Sequence, residues 1–321
     1  MALAEFSLIE RIRSRARMRP DVVLGIGDDA ALLQPQAGLQ LVVTADTLNA
    51  GVHFPAETPA ADIGWKTLAV NLSDLASMGA VPAWCTLALS LPTADPDWID
   101  AFADGFFALA DAHHMVLIGG DTTRGPLSLS VTAMGQVTPG TALRRDSARV
   151  GDEVWVSGAL GDAAVALRAW QSGTLDVVHP AEDAQVDYLR QRLARPTPRV
   201  ALGRALVGVA SAAVDISDGL LADLGHVCSR SGVGARIDPA LLPVSSAARA
   251  RVGDTHAREA ALRGGDDYEL CFTAPPNRHA AIAALAERLA LPLTRVGEIV
   301  AGSGVDAAGH ERGTVGYEHF L

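Results

Sequence analysis

The sequence is very poor in lysine. Its only lysine among 321 residues is Lys66, which follows Trp65 rather than a glycine. The phosphate-binding loop of P-loop proteins requires a glycine–lysine pair followed by serine or threonine. That class of phosphate site is therefore excluded. Any phosphate bound here would have to be held by metal ions, helix N-termini and arginines.

Cysteine is scarce as well. Cys85, Cys228 and Cys271 form no CxxC pair and lie among apolar residues. An odd, unpaired set predicts reduced thiols in the core rather than disulfides or a metal site. The histidines, including adjacent His113 and His114, lack the HExxH and Cys/His spacings that are typical of zinc proteins. We therefore predict no zinc site.

Long apolar runs and an excess of positive charge are also missing. The most apolar stretch, residues 69–91, is interrupted by Asp74 and Pro82, so it does not predict a membrane-spanning helix. Residues 1–19 mix two glutamates with several arginines, unlike a signal peptide. The net charge of −11 disfavours nucleic acid and anionic membranes as partners. The sequence thus predicts a cytoplasmic protein that binds neither.

The chain is long and apolar enough to form more than one core. Hydrophobic residues make up 49% of it, and at roughly 150 residues per domain its length favours two domains. Helical and strand periods alternate throughout, which predicts an α/β or α+β fold. The Gly-, Thr- and Arg-rich residues 139–151 are the candidate linker. We expect domains over residues 1–138 and 139–321.

The local patterns also predict individual elements. Helices are expected over residues 6–17, 58–78, 98–114, 161–170, 198–209, 276–290 and from the DISDG run to about residue 231. Strands are expected over residues 22–24, 41–44, 115–118, 127–137, 153–157, 268–272, 294–300 and near residue 214. The polar residues 171–186 are expected to form a surface excursion.

Aspartates recur where apolar strands end or helices begin. Six acidic segments share this placement, at residues 27–29, 44–47, 71–74, 119–122, 215–219 and 264–269. A lone aspartate before a helix is commonly an N-cap. Many carboxylates packed together would repel one another and raise one another's pKa unless cations were bound. Because these ligands are hard oxygens, they favour Mg²⁺ or Mn²⁺ over zinc.

A polar stripe interrupts the apolar helix predicted over residues 58–78. Thr67, Asn71 and Asp74 recur at i, i+4 and i+7, on a face away from the leucines. A solvated helix face would show the same pattern. Because the rest of this helix is so apolar, we expect the stripe to face a cleft.

A dinucleotide-binding site is the main competing interpretation from local pattern. Residues 25–30 fit GxGxx[GA] after a predicted strand, and Asp46 follows about 20 residues later. However, Asp28 and Asp29 would face a pyrophosphate without cations, and Pro35 leaves too little helix for a crossover. Binding of NAD rather than ATP would distinguish an NAD oxidoreductase.

Taken in order, the motifs carry a family resemblance. They are GIGDDAA, TADT, AGVHF, NLSDLASMGA, LIGGDTTRGP, DISDGL, GGDDYELCF and GYEHF. The sequence resembles the thiamine-monophosphate kinase family, of the aminoimidazole ribonucleotide synthetase superfamily, from Glu5 to Phe320. The resemblance implies a two-domain fold of that type, with an N-terminal mixed α/β domain and a C-terminal α/β domain. It also implies ATP-dependent, direct phosphorylation of thiamine monophosphate to thiamine diphosphate, several Mg²⁺ ions, and a homodimer formed through the N-terminal halves.

The resemblance also implies roles for individual residues. The positions that match magnesium ligands are Asp29, Thr44, Ala45 (through its carbonyl), Asp46, Asp74, Asp121, Asp215 and, for a further ion, Asp218. Those that match ATP contacts are Gly120, Asp121, Arg145 and Ser217, and those that match substrate contacts are His53, Asp266 and Tyr317. No further catalytic residue is expected, because phosphoryl transfer needs chiefly positioning and charge neutralisation, and the acceptor phosphate is already a nucleophile.

The sequence departs from the family pattern at three of these positions. Ala45 stands where relatives often carry a hydroxyl, so only main-chain ligation remains there. Asp266 stands where some relatives have glutamate, and Tyr317 where others have tryptophan. The shorter acid reduces the reach toward a thiamine cation, whereas tyrosine still offers an aromatic face.

Other members of the superfamily fit less well. Selenophosphate synthetase needs a reactive cysteine in an N-terminal glycine-rich segment, yet the first cysteine here is Cys85. The hydrogenase-maturation member needs a C-terminal cysteine, and this chain ends in Phe320 and Leu321. Aminoimidazole ribonucleotide synthetase remains the nearest enzyme alternative, although the AGVHF and GYEHF segments weigh against it. A regulator that has lost catalysis would bind ATP without releasing ADP.

Overall fold

The computed structural model describes residues 5–307. Within them the chain divides into two compact units. The first unit comprises the residues up to Leu75 and Ala80–Gly140, and the second comprises Ala76–Gly79 and the residues from Thr141 onward. Among the described residues, no helix is long and apolar enough to cross a membrane.

The first unit is built on a four-stranded sheet. Its elements are α1 (Glu5–Arg13), β1 (Val22–Leu24), β2 (Leu32–Leu33), β3 (Gln40–Asn49), α2 (Ala60–Ser77), β4 (Val81–Leu91), α3 (Pro96–Ala112), β5 (Val116–Arg124) and β6 (Ser128–Val137). The sheet order is β3-β6-β4-β5, in which β4 and β5 are parallel and the other neighbours antiparallel. Strands β1 and β2 form a separate pair.

Helices α2 and α3 pack against each other through glycines. A Cβ atom at Gly64 would lie 2.1 Å from the carbonyl oxygen of Phe102, and one at Gly105 would lie 1.7 Å from that of Ala61. Only glycine therefore permits this backbone approach. The contact fixes α2, the helix that carries Asp74, within the first unit.

The second unit is built on a six-stranded sheet. Its elements are β7 (Glu153–Ser157), α4 (Asp162–Gln171), α5 (Ala184–Ala194), α6 (Val200–Leu206), β8 (Ala212–Asp215), α7 (Leu220–Ser231), β9 (Gly234–Ile237), α8 (Ser246–Arg263), β10 (Leu270–Ala274), α9 (His279–Leu289), β11 (Leu293–Val300) and β12 (Gly304–Ala307). The sheet order is β12-β9-β11-β7-β10-β8, and only the β12–β9 pair is parallel.

Three neighbouring strands of this sheet, including the edge strand β8, are buried along their whole length. Every residue of β7, β8 and β10 is buried, so both faces of the sheet are covered. Val154 and Val156 join the main core with residues of α4, α7 and α8. On β7, Trp155 stacks instead on Phe272, with ring centroids 6.4 Å apart. The site residues of this unit thus stand at the ends of rigid, buried strands.

The element predictions are confirmed for the strongly patterned segments. The strands over residues 22–24 and 153–157 match β1 and β7, and the helices expected over residues 58–78 and 98–114 correspond to α2 and α3. The prediction of a surface excursion over residues 171–186 is wrong in part, because Leu175 and Val177 are buried and α5 begins at Ala184. The predicted elements did not include β2, β4, α5, α8, β9 or β12.

Candidate functional site

Three of the expected magnesium ligands lie together where β3 faces α2. Thr44 and Asp46 alternate with the exposed Val43 and Ala45 along β3, so they share one face of the sheet. The Thr44 hydroxyl donates a hydrogen bond to the carboxylate of Asp74 on α2. All three side chains are half-buried. Hard oxygen donors from a strand and a helix are therefore gathered at one place.

The rest of the polar stripe on α2 is placed differently. Thr67 and Asn71 are fully buried, and both bond to the helix itself: the Thr67 hydroxyl donates to Ile63 O at 2.7 Å, and Asn71 Nδ2 donates to Thr67 O at 3.1 Å. Only Asp74 of the stripe is partly exposed. The expectation that the whole stripe faces a cleft is wrong, because the inner two side chains are buried and donate to helix carbonyls.

A second group lies on β5, at the far edge of the same sheet. A Cβ atom at Gly120 would lie 1.8 Å from Leu87 O, so only glycine fits beside β4. Gly120 pairs with Leu87 on β4, Leu87 pairs with Val131 on β6, and Val131 pairs with Asp46 on β3, so these residues form one row across the sheet. At about 4.8 Å per strand, that row spans roughly 14 Å. The exposed Asp121 follows Gly120, so the first unit presents two separate groups of donors.

Asp29 and His53 lie on loops of the first unit. Asp29 is exposed between β1 and β2, and its amide donates to Asp28 Oδ1 at 2.8 Å. His53 follows β3, and its Nδ1 accepts the Asn49 amide at 2.9 Å. The ammonium of Lys66, a residue only 2% exposed, donates to the carbonyl of His53 at 3.1 Å. The lysine thus holds the His53 loop rather than a phosphate.

In the second unit, two acidic loops are joined by backbone hydrogen bonds. The Asp266 amide donates to Ser217 O at 2.8 Å, and the Tyr268 amide donates to Ile216 O at 2.9 Å. The Ile216 amide in turn donates to Glu269 O at 2.8 Å. Asp215, the last residue of β8, pairs with Leu270 in the same ladder. The structure therefore brings together the expected site residues Asp215, Ser217, Asp218 and Asp266.

Asp223 shapes the first of these loops, and the sequence patterns did not single it out. Its Oδ2 accepts the amides of Ser217, Asp218 and Gly219 at 3.1, 3.0 and 3.1 Å. Burial and, after it, the charge of the nearby Asp218 raise the pKa of this carboxyl to about 7, although the amides of Asp218 and Gly219 and the charge of Arg145 act in the opposite direction. The signal in the sequence is an aspartate four residues after Gly219, inside the helix rather than before it.

Arg145 lies in the irregular segment before β7. Its side chain is exposed, whereas its carbonyl accepts the Ser231 hydroxyl at 2.8 Å, and that hydroxyl accepts the Ala148 amide at 3.1 Å. The backbone of the arginine is therefore fixed by α7 while its guanidinium reaches solvent. Tyr317, the remaining expected substrate contact, lies outside the described residues.

Behind the loop over residues 264–269 lies a buried network of charged side chains. Glu269 accepts hydrogen bonds from Arg199 Nε and from the Ser157 hydroxyl, both at 2.6 Å, and its Oε1 lies 3.2 Å from Arg192 Nη2. Asp267 accepts the Gly161 amide at 2.6 Å. Asp162 completes the group, with its Oδ2 3.7 Å from Arg192 Nε. Three carboxyl groups thus share two guanidinium groups.

Asp267 is the carboxyl group of this network that is held neutral. Burial raises its pKa to about 8 from 3.8, and the attraction of Arg192 only partly opposes the shift. Its Oδ1 accepts or donates no hydrogen bond among the described residues. With Asp267 protonated, the two remaining carboxylates balance the two arginines.

The Asp267→Asn variant is expected to lose part of the pH dependence of stability. Because the folded form holds a proton that the unfolded chain releases, this contribution is complete below about pH 4 and is lost as the pH rises through about 8. Asparagine mimics the neutral carboxyl. As the pH is raised from about 5 to 8, the thermal midpoint of the variant should therefore rise relative to that of the wild type. Asp183→Asn, at the exposed N-cap of α5, is the control: its thermal midpoint should follow the same pH dependence as that of the wild type. Parallel curves for both variants would contradict a neutral Asp267.

The donor set of both units fits Mg²⁺, since it consists of carboxylate, hydroxyl and carbonyl oxygens. Within residues 5–307, no three Asp, Glu, His or Cys side chains converge tightly enough to hold an ion by themselves. This matches the usual habit of Mg²⁺, which is bound by one or two carboxylates together with substrate phosphates. The arrangement can therefore hold cations that arrive with a polyphosphate.

Comparison with known proteins covers nearly the whole chain. The family model for the N-terminal domain of AIR synthase related proteins matches residues 27–137 of this chain. The model for their C-terminal domain matches residues 149–309. The thiamine-monophosphate kinase of Salmonella typhimurium is 48% identical over 302 residues, which is 94% of this chain and 92% of that protein. The Escherichia coli enzyme is 49% identical over the same length and coverage.

This chain belongs to the thiamine-monophosphate kinase family.

Solved structures of thiamine-monophosphate kinases have the same fold. The crystal structure of the enzyme from Stenotrophomonas maltophilia matches with a TM-score of 0.91 and 66% identity, covering 97% of this chain and 98% of that one. AaThiL complexed with AMPPCP and TMP matches with a TM-score of 0.80 and 31% identity, covering 100% and 99%. The predicted two-domain fold and the family resemblance are confirmed.

Proposed function

We propose that this protein transfers the γ-phosphoryl group of ATP to thiamine monophosphate, giving thiamine diphosphate and ADP. The observation that carries this function is identity of 48–49% to two thiamine-monophosphate kinases over 94% of the chain. The similarity to AaThiL complexed with AMPPCP and TMP supports both substrates. A phosphate oxygen of thiamine monophosphate attacks the γ-phosphorus, and the bond to the ADP oxygen breaks.

The first unit supplies two of the proposed metal and phosphate positions. Thr44, Asp46 and Asp74 would hold one Mg²⁺, with the Ala45 carbonyl and Asp29 as further oxygen donors. Asp121, with the glycine backbone of Gly120, would hold the ATP phosphates through a cation. Asp46 and Gly120 stand on opposite edge strands of the sheet, roughly 14 Å apart, and two donor groups on different edges favour more than one ion. When bound, Mg²⁺ would neutralise the charge of the two phosphate groups that must meet.

The second unit supplies the remaining proposed contacts. Asp215 and Asp218 would hold Mg²⁺ from the loop that Asp223 shapes, and Ser217 would contact ATP beside them. The exposed guanidinium of Arg145 can bind a phosphate bidentately. His53 of the first unit, Asp266 and Tyr317 are the proposed contacts to thiamine monophosphate. No side chain needs to remove a proton, since the acceptor phosphate is already ionised at neutral pH.

A homodimer formed through the first unit is also proposed. The strand β3 is an edge strand, and its outer face carries Leu41 and Val43, which are 49% and 58% exposed. Exposed apolar side chains along an unpaired edge are typical of surfaces that associate. Light scattering should give twice the mass of 33.3 kDa. The mass of a monomer at micromolar concentration would contradict the dimer.

A cytoplasmic location is proposed from the state of the cysteines. Cys85, Cys228 and Cys271 are buried free thiols, as proteins of reducing compartments usually have. Burial raises the pKa of each of these thiols. Fractionation of producing cells would test the location, which recovery of the native protein outside the cytoplasm would contradict.

An ADP-release assay tests the proposed function directly. Purified protein with ATP and Mg²⁺ is given thiamine monophosphate, thiamine or formylglycinamidine ribonucleotide in separate reactions. We expect turnover with thiamine monophosphate alone, abolished by EDTA and restored by excess Mg²⁺. Turnover with the ribonucleotide alone would assign the chain to aminoimidazole ribonucleotide synthetase chemistry. Tight ATP binding with no turnover on any acceptor would indicate a regulator.

A further inference from the structure

The loop over residues 266–269 is anchored by two buried acidic side chains. Asp267 and Glu269 are almost completely buried and held by the charged network behind the loop. Tyr268 lies between these anchors, and the half-buried Asp266 precedes the first of them. The inward pair therefore fixes the backbone from which Asp266 and Tyr268 project.

The backbone of this loop is strained at both projecting residues. Asp266 has φ of 67° and Tyr268 has φ of 50°, in the left-handed region that residues with a side chain rarely adopt. Such conformations persist only where the surroundings enforce them. Here the two amides donate to the carbonyls of Ser217 and Ile216, which hold them in place. Strain of this kind at a proposed substrate contact indicates that one specific geometry is being maintained.

The strained geometry brings the Tyr268 hydroxyl to the Asp266 carboxylate. The hydroxyl oxygen lies 3.1 Å from Asp266 Oδ1, to which it donates a hydrogen bond. Tyr268 is only 8% exposed, so its ring is held by packing and its hydroxyl position is fixed. An aspartate carboxylate otherwise turns readily about its last torsion angle. The hydrogen bond therefore sets the direction in which the carboxylate presents its charge.

We infer that Tyr268 is a positioning residue for substrate specificity: it orients the Asp266 carboxylate toward the cationic thiazolium ring of thiamine monophosphate. This role rests on the proposed function, in which Asp266 contacts the substrate. A hydrogen bond that fixes a charged group before binding removes the cost of ordering it afterwards. Tyr268 therefore acts through Asp266 and favours a cationic ring over a neutral ring of the same shape.

The Tyr268→Phe variant isolates the hydroxyl, because it keeps the ring and its packing. We expect the KM for thiamine monophosphate to rise about tenfold, as for loss of a hydrogen bond to a charged group. The kcat, the KM for ATP and the thermal midpoint should stay close to the wild-type values. Tyr188→Phe is the matched control, because that hydroxyl donates to the buried Asp162 carboxylate at 2.7 Å, in the network behind the loop. It should leave the KM for thiamine monophosphate unchanged.

A neutral substrate analogue separates positioning of the charge from general loss of structure. In this analogue a thiophene ring replaces the thiazolium ring of thiamine monophosphate. Tyr268→Phe should leave the KM for the analogue unchanged, so that discrimination between the two substrates falls about tenfold. An equal rise of KM for both substrates, or a loss of kcat accompanied by a lower thermal midpoint, would overturn the positioning role.

Asp266→Asn distinguishes failure of this inference from failure of the proposed site. If Asp266→Asn raises the KM for thiamine monophosphate but Tyr268→Phe does not, the role of Tyr268 is overturned and the site stands. If neither variant changes that KM, the assignment of Asp266 as a substrate contact fails as well. The double variant should be no worse than Asp266→Asn alone, because Tyr268 acts through that carboxylate. Additive losses would overturn the coupling.

Discussion

Replacing Asp46 with asparagine is expected to lower kcat by at least about a hundredfold while the thermal midpoint stays within a degree or two. Asparagine keeps the shape of the side chain but removes the charge that we propose binds Mg²⁺, and a metal ion stabilises developing phosphate charge by several kcal/mol. Each 1.36 kcal/mol corresponds to about a tenfold change in rate. Because Asp46 is half-buried at the surface of the sheet, the fold should tolerate the change.

The measurement is ADP release at saturating ATP and thiamine monophosphate over a titration of Mg²⁺. Asp104→Asn is the matched control, because it removes an exposed carboxylate of the same unit that pairs with Arg15. Surface pairs of this kind contribute about 0–1 kcal/mol, so the control should keep both kcat and its Mg²⁺ dependence. A wild-type kcat for Asp46→Asn would remove this residue from the set of metal ligands.

Replacing Glu269 with glutamine is expected to destabilise the folded chain by about 3–5 kcal/mol, the usual cost of breaking a buried ion pair by removing one partner. The carboxylate is 1% exposed and faces two guanidinium groups, those of Arg192 and Arg199. Glutamine keeps the volume, so no cavity is formed and the lost charge dominates. Arg192 would be left especially poorly compensated, since it is itself buried.

Urea unfolding followed by far-UV circular dichroism measures this loss. Glu298→Gln is the matched control, because Glu298 pairs with Arg236 at 2.8 Å and both side chains are largely exposed. Its free energy of unfolding should change by less than about 1 kcal/mol. Equal midpoints for the two variants would show that the buried network contributes no more than a surface pair.

The sequence predicted best the elements whose apolar period is uninterrupted. The buried β7 matches its prediction in full, and the apolar α2 matches within two residues at each end. By contrast, α5 buries Arg190 and Arg192, so its inward face does not look apolar. Helix α8 is broken by a kink at Gly253, where φ is 79°. A search for hydrophobic periodicity therefore misses α5, because its buried face carries charged residues, and α8, because a kink interrupts its period.

The residues of the proposed site come from motifs that the sequence shows, whereas the residues that support them do not. The acidic motifs were recognisable because aspartate recurs at strand ends. Asp223 holds its loop from within α7, a place where an acid resembles any other residue of a first helical turn. The strand expected from residue 268 begins at Leu270, because Asp266 and Tyr268 adopt positive φ angles. Such angles depend on partners distant in sequence, which a local pattern does not contain.

The burial of Lys66 also determines how this protein can be handled. It is the only lysine in the sequence, and its ammonium group is held inside the first unit by the carbonyl of His53. Amine-directed reagents such as succinimidyl esters and glutaraldehyde would therefore find no lysine side chain at the surface. Apart from the α-amino group, cross-linking of the proposed dimer and attachment of fluorophores would have to use carboxyl groups or an introduced residue. A lysine introduced at the surface would be the only lysine side chain open to these reagents.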